Sequence, residues 1–145
     1  MKSAMALKSK SRLRRIFLRT IFTALAIFII VVISFSLWIE LELKNICEEA
    51  TKNYTGDKVE VLMMSLETDT YGLDTQLYKK NNRIVWALGQ LGDKRALPFL
   101  NNLATGKPCD HKTNLCQGEI QEAIRKLEAD KFNLPKFLWR GILNY

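Results

Sequence analysis

The feature that most constrains this chain is an uncharged apolar run from Ile21 to Ile39. Its 19 residues include only three polar side chains, each of them Ser or Thr. As an α-helix the run would be about 28 Å long, close to the ~30 Å hydrocarbon thickness of a bilayer. A helix also satisfies its own backbone hydrogen bonds, as lipid requires. The run therefore predicts a transmembrane helix over residues 21–39, not the core helix of a soluble domain.

A cleaved signal peptide is the alternative interpretation of this run. Such peptides have a shorter apolar region that is followed by small residues at the cleavage site. Residues 38–42 read Trp-Ile-Glu-Leu-Glu and contain no such site. The sequence therefore favours an uncleaved signal-anchor, which makes this a single-pass protein.

Positive charge is concentrated before the apolar run. Residues 1–20 contain seven Lys and Arg and no acid, whereas the rest of the chain has 15 bases and 15 acids. The positive-inside rule predicts a cytoplasmic tail over 1–20 and a periplasmic or extracellular domain over 40–145, anchored in the inner (plasma) membrane. The predicted topology and lipid contacts are Lys8, Lys10, Arg12, Arg14, Arg15, Arg19 and Trp38. The neutral remainder excludes a globally basic nucleic-acid-binding domain.

Beyond residue 40 the apolar residues recur at helical spacing, without sustained strand-like alternation. Ala96, Phe99, Leu100 and Leu103 form one such set, and similar sets lie elsewhere in this part of the chain. The sequence predicts that the first helix continues to about Lys52, that helices follow over 57–67, 75–91, 94–105 and 118–129, and that a last one runs from Lys136 to Leu143. Asp74 is predicted to cap the helix over 75–91.

Two of the predicted helices follow the same turn. Gly56-Asp57-Lys58 and Gly92-Asp93-Lys94 lie 36 residues apart, and the apolar residues after them follow at almost the same interval. In each turn Gly can end one helix in a left-handed conformation and Asp can cap the next. A repeat of this length is typical of stacked helical hairpins.

The segment from Asn81 to Gly106, NNRIVWALGQLGDKRALPFLNNLATG, resembles a HEAT-like repeat of the phycobilisome-lyase type. The resemblance is weaker over residues 45–68 and 117–143. It implies an all-α fold in which the membrane helix precedes a right-handed α-solenoid of about two and a half to three antiparallel helix pairs. In this family Pro98 is usual and implies a kinked first turn. Lyase activity is not implied, since no attachment or catalytic residue of a lyase is recognisable.

The eight residues from Cys109 to Cys116 form a loop between two predicted helices. A disulfide between these two cysteines is the favoured interpretation, because the predicted topology places them in an oxidising compartment. A metal site using Cys109, His111 and Cys116 is an alternative, although the spacing matches no common zinc pattern. Two free thiols would follow if the domain were cytoplasmic. The third cysteine, Cys47, is predicted to be a small buried apolar residue, with a bridge between two copies as the alternative.

The sequence contains no recognisable catalytic constellation. It has one His and no phosphate-binding glycine-rich motif, since Gly89 and Gly92 are assigned to the repeat turn. We therefore expect a non-enzymatic protein without a cofactor that serves as a membrane-anchored scaffold or adaptor for another membrane or extracytoplasmic protein. One alternative is a small accessory subunit of a larger membrane complex. Another is a thiol-based redox or metal-sensing protein that uses Cys109 and Cys116.

The C-terminal segment is rich in aromatic and basic residues, which are enriched at binding hot spots. The favoured interpretation of this segment is a cap folded back on the helical stack, and binding of a partner or of a lipid surface is the alternative. The candidate partner-binding residues are Phe132, Phe137, Leu138, Trp139, Arg140 and Tyr145.

Overall fold

The computed structural model describes residues 2–66, 74–109, 115–129 and 133–143, with the backbone alone for residues 2–14 and 141. These residues form helices joined by turns and contain no strand, which confirms the predicted all-α class. In chain order the elements are α1 (Lys2–Thr51), α2 (Lys58–Ser65), α3 (Thr75–Leu91), a 3-10 turn (Lys94–Ala96), α4 (Leu97–Leu103), α5 (Gln117–Glu128) and α6 (Leu134–Leu143).

The chain divides into two compact units, residues 1–38 and 39–145. Within the described residues, the stretch of α1 from Arg15 to Thr51 is the one helix long and apolar enough to cross a membrane. None of its most apolar window is buried, which distinguishes it from the core helix of a soluble protein.

The second unit has one apolar core to which five helices contribute. Its largest fully buried apolar side chains include Leu43 of α1, Leu62 of α2, Leu88 of α3, Leu100 of α4 and Ile120 of α5. Helix α3 packs against α2 and α5, and α5 also packs against α4. Burying a side chain of this size contributes about 1.5–3 kcal/mol, so the last turns of α1 are held in the core together with the helices that follow.

The predicted Asp caps are present at the starts of the helices. Asp57 accepts hydrogen bonds from the backbone N–H groups of Val59 and Glu60, and the Glu60 side chain completes a capping box. Asp74 caps α3, and Asp93 caps the 3-10 turn. Each carboxylate satisfies N–H groups that have no partner within the helix, which is why these short polar residues fix the helix starts.

Two glycines near the end of α3 have different roles. Gly92 ends the helix with a φ of 67°, as predicted. The assignment of Gly89 to the turn is wrong, because this residue lies inside α3 and is buried. A Cβ at Gly89 would lie 3.0 Å from the Cα of Ala123 in α5, so the missing side chain allows the close approach of the two helices.

Both helix-starting prolines occupy the second position of an α-helix. The predicted helix over 94–105 begins as a 3-10 turn, and α4 then starts at Leu97 with Pro98 next. Helix α6 starts in the same way with Leu134 and Pro135, two residues before its predicted start. A proline in the first turn removes an N–H that has no acceptor within the helix. The two Leu-Pro pairs are 37 residues apart, close to the 36-residue interval between the two Gly-Asp-Lys turns.

Candidate interaction surfaces and the contacts that shape them

Arg95 joins the two repeated turns. Its Nη1 lies 2.5 Å from Oδ2 of Asp57, and its Nη2 lies 2.7 Å from Oδ2 of Asp93. Asp57 caps α2 and Asp93 caps the 3-10 turn before α4, so one guanidinium bridges the caps of two helical segments. The hydrogen bonds from Arg95 hold the pKa of both carboxyls below its usual range. An arginine suits this position because its planar fork can bind two carboxylates at once.

Arg140 of α6 lies in an internal network, with its Nη2 3.0 Å from Oε1 of Glu40. The Glu40 side chain is almost fully buried, with a relative exposure of 1%. Arg140 also donates hydrogen bonds to the backbone carbonyls of Gln90 and Leu91, the last two residues of α3. These carbonyls have no donor within their own helix, and a cation there also opposes the negative end of the helix dipole. One side chain thus ties α6 to α1 and α3.

Arg83 gives α1 and α3 a second connection. Its Nη2 lies 2.5 Å from Oε1 of Glu42, and both side chains are partly exposed. Glu40 and Glu42, which follow the apolar run, are therefore both paired with arginines of the second unit. Exposed pairs of this kind contribute little to stability, so the main effect of the Arg83–Glu42 pair is to orient the Arg83 side chain.

A cleft of about 560 Å³ lies where the end of α1, the end of α2 and the start of α3 meet. The side chains of Ile46, Ala50 and Ile84 give it an apolar component. Its polar lining comes from Glu49, Asn53, Tyr54, Ser65, Gln76, Lys79, Lys80 and Arg83. The mixture of apolar surface with a few polar groups is typical of binding clefts of this size.

The polar lining of this cleft carries an excess of positive charge. Lys79 and Lys80 are exposed residues of α3, and Arg83, which is paired with Glu42, lies one helical turn further along the same helix. Glu49 is the acidic residue among the described lining residues. The cleft therefore favours an anionic group, and its apolar side would contact an uncharged part of the same ligand.

Cys109 and Cys116 are within disulfide-bonding distance, with their Cα atoms 5.5 Å apart. Cys116 directly precedes α5, and its backbone N–H donates a hydrogen bond to Oδ1 of Asn82 in α3. The Gln117 side chain binds the backbone at Leu103 and Thr105, so both ends of the cysteine loop are attached to the helical core.

The structure also bears on the alternative metal site and on the third cysteine, Cys47. Among the residues that the structure describes, no group of three His, Cys, Asp or Glu is placed to hold a metal ion, and His111 of the alternative metal site lies outside them. Cys47 is buried, as predicted, and desolvation raises the pKa of its thiol to about 11. This thiol is therefore protonated at neutral pH and a poor nucleophile.

The candidate partner-binding residues that the structure describes do not all point the same way. Phe137 is strongly exposed, Leu138 and Trp139 are half-buried, and Arg140 points into the network with Glu40. Phe132 and Tyr145 lie outside the described residues. The inward position of Arg140 agrees with a segment folded back on the domain, and a role in partner binding stays a prediction.

The candidate lipid contacts all belong to α1, and their described side chains are exposed. Arg15, Arg19 and Trp38 are exposed, and Trp38 stacks on Phe35 with the ring centroids 5.8 Å apart. For Lys8, Lys10, Arg12 and Arg14 the structure describes the helical backbone.

The cleft and the three arginine bridges were not predicted from the sequence. These features join residues that are 38 to 100 positions apart, and no local pattern reports such contacts. The 37-residue interval between the two Leu-Pro pairs is a further sign of a repeat that the sequence contains.

Comparisons with protein-family models, with curated proteins and with solved structures find no match. The resemblance to HEAT-like repeats therefore stays a prediction made from the residues themselves.

Proposed function

We propose that this chain is a single-pass membrane protein whose helical domain binds another protein beside the membrane and acts as a non-enzymatic scaffold or adaptor. The cleft among α1, α2 and α3 is the observation that carries this proposal. The class of partner follows from its lining, which would bind an acidic segment with an apolar side chain next to the charge.

The proposed topology has residues 1–20 in the cytoplasm and residues 40–145 in the periplasm or extracellular space. Two independent observations support it. All seven bases of the first 20 residues precede the apolar run. The cysteines at 109 and 116 are also paired at disulfide distance, which suits an oxidising compartment.

The helical domain is proposed to be a short right-handed stack of HEAT-like hairpins. The last turns of α1 with α2 form the first hairpin, α3 with α4 the second, and α5 with α6 the third. Three features support the repeat: the Asp-capped turns at 57 and 93, the Arg95 bridge between them, and the Leu-Pro starts of α4 and α6. Stacked hairpins of this kind often present extended binding surfaces.

Site-specific photocrosslinking in native membranes tests the proposal. A photoreactive amino acid at Tyr54 in the cleft is expected to capture one protein partner, and Lys79→Glu is expected to reduce that crosslink severalfold. The matched control is Lys107→Glu, which changes the charge of another exposed lysine and should leave the crosslink intact. A crosslinker at Asn101 of α4, away from the cleft, should capture no such partner.

Two results would contradict the proposal. Equal crosslinking from Tyr54 and Asn101 would mean that the cleft does not select a partner. A stoichiometric partner captured only from a crosslinker at Ile29 would favour the accessory subunit, whose main contact is the transmembrane helix.

A further inference from the structure

Helix α6 exposes two large apolar side chains and turns its arginine inward. Its arginine, Arg140, is turned inward to Glu40 and the end of α3. Two of its apolar side chains are turned outward, since Phe137 is 72% exposed and Ile142 is 71% exposed. A helix that faced only water would place these residue types the other way round.

The two exposed side chains flank a continuous apolar face of α6. At about 100° per residue, Leu134, Phe137, Leu138 and Ile142 fall within an arc of about 140°. By these angles Leu134 and Leu138, which are half-buried, form the centre of this face, and the exposed Phe137 and Ile142 lie at its two sides. Lys136, which is exposed, lies outside the arc. An exposed apolar face of this width on a small domain marks a contact with lipid or protein.

The contacts of Arg140 connect α6 to the residue that directly follows the apolar run. Its partner Glu40 is the residue directly after the apolar run that ends at Ile39. One residue of α-helix rises about 1.5 Å, so Glu40 lies at the boundary of the proposed span. Ile39, the first residue of the second unit, and Phe137 also line the same surface depression.

We propose that α6 is an interfacial helix whose apolar face rests in the outer headgroup region of the membrane. This inference depends on the proposed transmembrane span. Phe137 and Ile142 would enter the acyl boundary, while Lys136 would stay among the headgroups. The Glu40–Arg140 pair would hold the helix at this level. The helical domain would then contact the bilayer at a second place besides its anchor, which limits the directions in which the cleft can face.

Spin-label accessibility of the full-length protein in phosphatidylcholine and phosphatidylglycerol vesicles tests this inference. Single substitutions Phe137→Cys, Ile142→Cys, Ile29→Cys and Met64→Cys provide labelling sites. Native Cys47 is buried and Cys109 and Cys116 are paired, so the introduced thiol takes the label. Ile29 is the reference within the span, and Met64 is an exposed apolar residue of α2.

We expect labels at 137 and 142 to collide frequently with oxygen, which concentrates in lipid, and rarely with a water-soluble nickel chelate. The label at 64 should show the reverse. Collision with the chelate at 137 and 142 as frequent as at 64 would overturn the inference while leaving the span intact. Exclusion of both reagents at 137 and 142 would indicate contact with protein and would also overturn it. A label at 29 that behaves like the label at 64 would show instead that the span itself has failed.

Discussion

Arg140 binds Glu40 across 100 positions of sequence, with its Nη2 3.0 Å from Oε1 of the carboxylate. The same guanidinium caps the end of α3, so the last described helix, the central helix and the segment beyond the apolar run meet at one side chain. This contact therefore joins the first and the last described helices of the domain.

Removing Arg140 is expected to be costly. Arg140→Met would leave the buried Glu40 carboxylate without this cation and should lower the free energy of unfolding by about 3–5 kcal/mol. Denaturant unfolding of the full chain in detergent micelles measures the change. Arg125→Met is the matched control, since Arg125 is 72% exposed and pairs with Glu122 on its own helix. Similar losses in the two variants would contradict the central role of the Glu40 pair.

The Arg95 bridge predicts a dependence of stability on pH. Arg95 lowers the pKa of Asp57 and Asp93 below the ordinary value of 3.8. A carboxyl whose pKa is lower in the folded state stabilises the fold above its unfolded pKa, and this contribution is lost as the pH falls through the folded pKa. Arg95→Gln should therefore lower the Tm at pH 6, and the difference from the parent protein should shrink below about pH 4.

The control for this measurement is Arg125→Gln, which removes an exposed pair within one helix. It should change the Tm little at either pH, as expected for surface pairs. A Tm difference for Arg95→Gln that stayed constant from pH 6 to pH 3 would mean that Arg95 acts through packing and not through the two carboxylates.

Three glycines give a graded test of the packing between α3 and α5. Gly89→Ala places a methyl group 3.0 Å from Ala123 and should cost about 1–3 kcal/mol, as overpacking does. Gly92→Ala meets no atom within 4 Å but has a positive φ, so we expect a loss of about 1 kcal/mol. Gly118→Ala, whose nearest atom is 3.6 Å away, should leave stability almost unchanged. Equal effects at the three positions would contradict the close approach of the helices.

The cysteine pair is expected to stabilise the domain. Replacing Cys109 and Cys116 by Ser should lower the free energy of unfolding by about 2.5 kcal/mol, from the chain entropy of a short closed loop. A reductant should have the same effect on the parent protein and none on the double variant. If the parent protein were insensitive to reductant, the disulfide would not form in the isolated protein.

Local chemistry was predictable from the sequence, whereas the contacts between distant segments were not. Asp57, Asp74 and Asp93 were correctly expected to cap helices, because capping depends on a side chain and the next three residues. The role of Gly89 was not expected from the sequence, since it depends on Ala123 in another helix. Burial of the thiol at Cys47 was expected from the residue type alone.

The candidate sites follow the same division. The apolar run and the cysteine pair are continuous or nearly continuous in sequence, so their patterns can be read directly. The cleft is lined by residues between Ile46 and Ile84, and the Glu40–Arg140 pair joins residues that are 100 positions apart. Each depends on how helices pack, which no spacing along the chain reports.

Thiol labelling of intact cells measures on which side of the membrane the helical domain lies. Met64→Cys places a reactive thiol on an exposed position of the domain, and Ser3→Cys places one in the basic tail. Cys47 adds no signal, because it is buried and its pKa is raised to about 11. A membrane-impermeant maleimide is expected to label Met64→Cys in intact cells and Ser3→Cys only after permeabilisation. Labelling of Ser3→Cys in intact cells, with Met64→Cys protected until permeabilisation, would mean that the helical domain is cytoplasmic and would contradict the proposed topology.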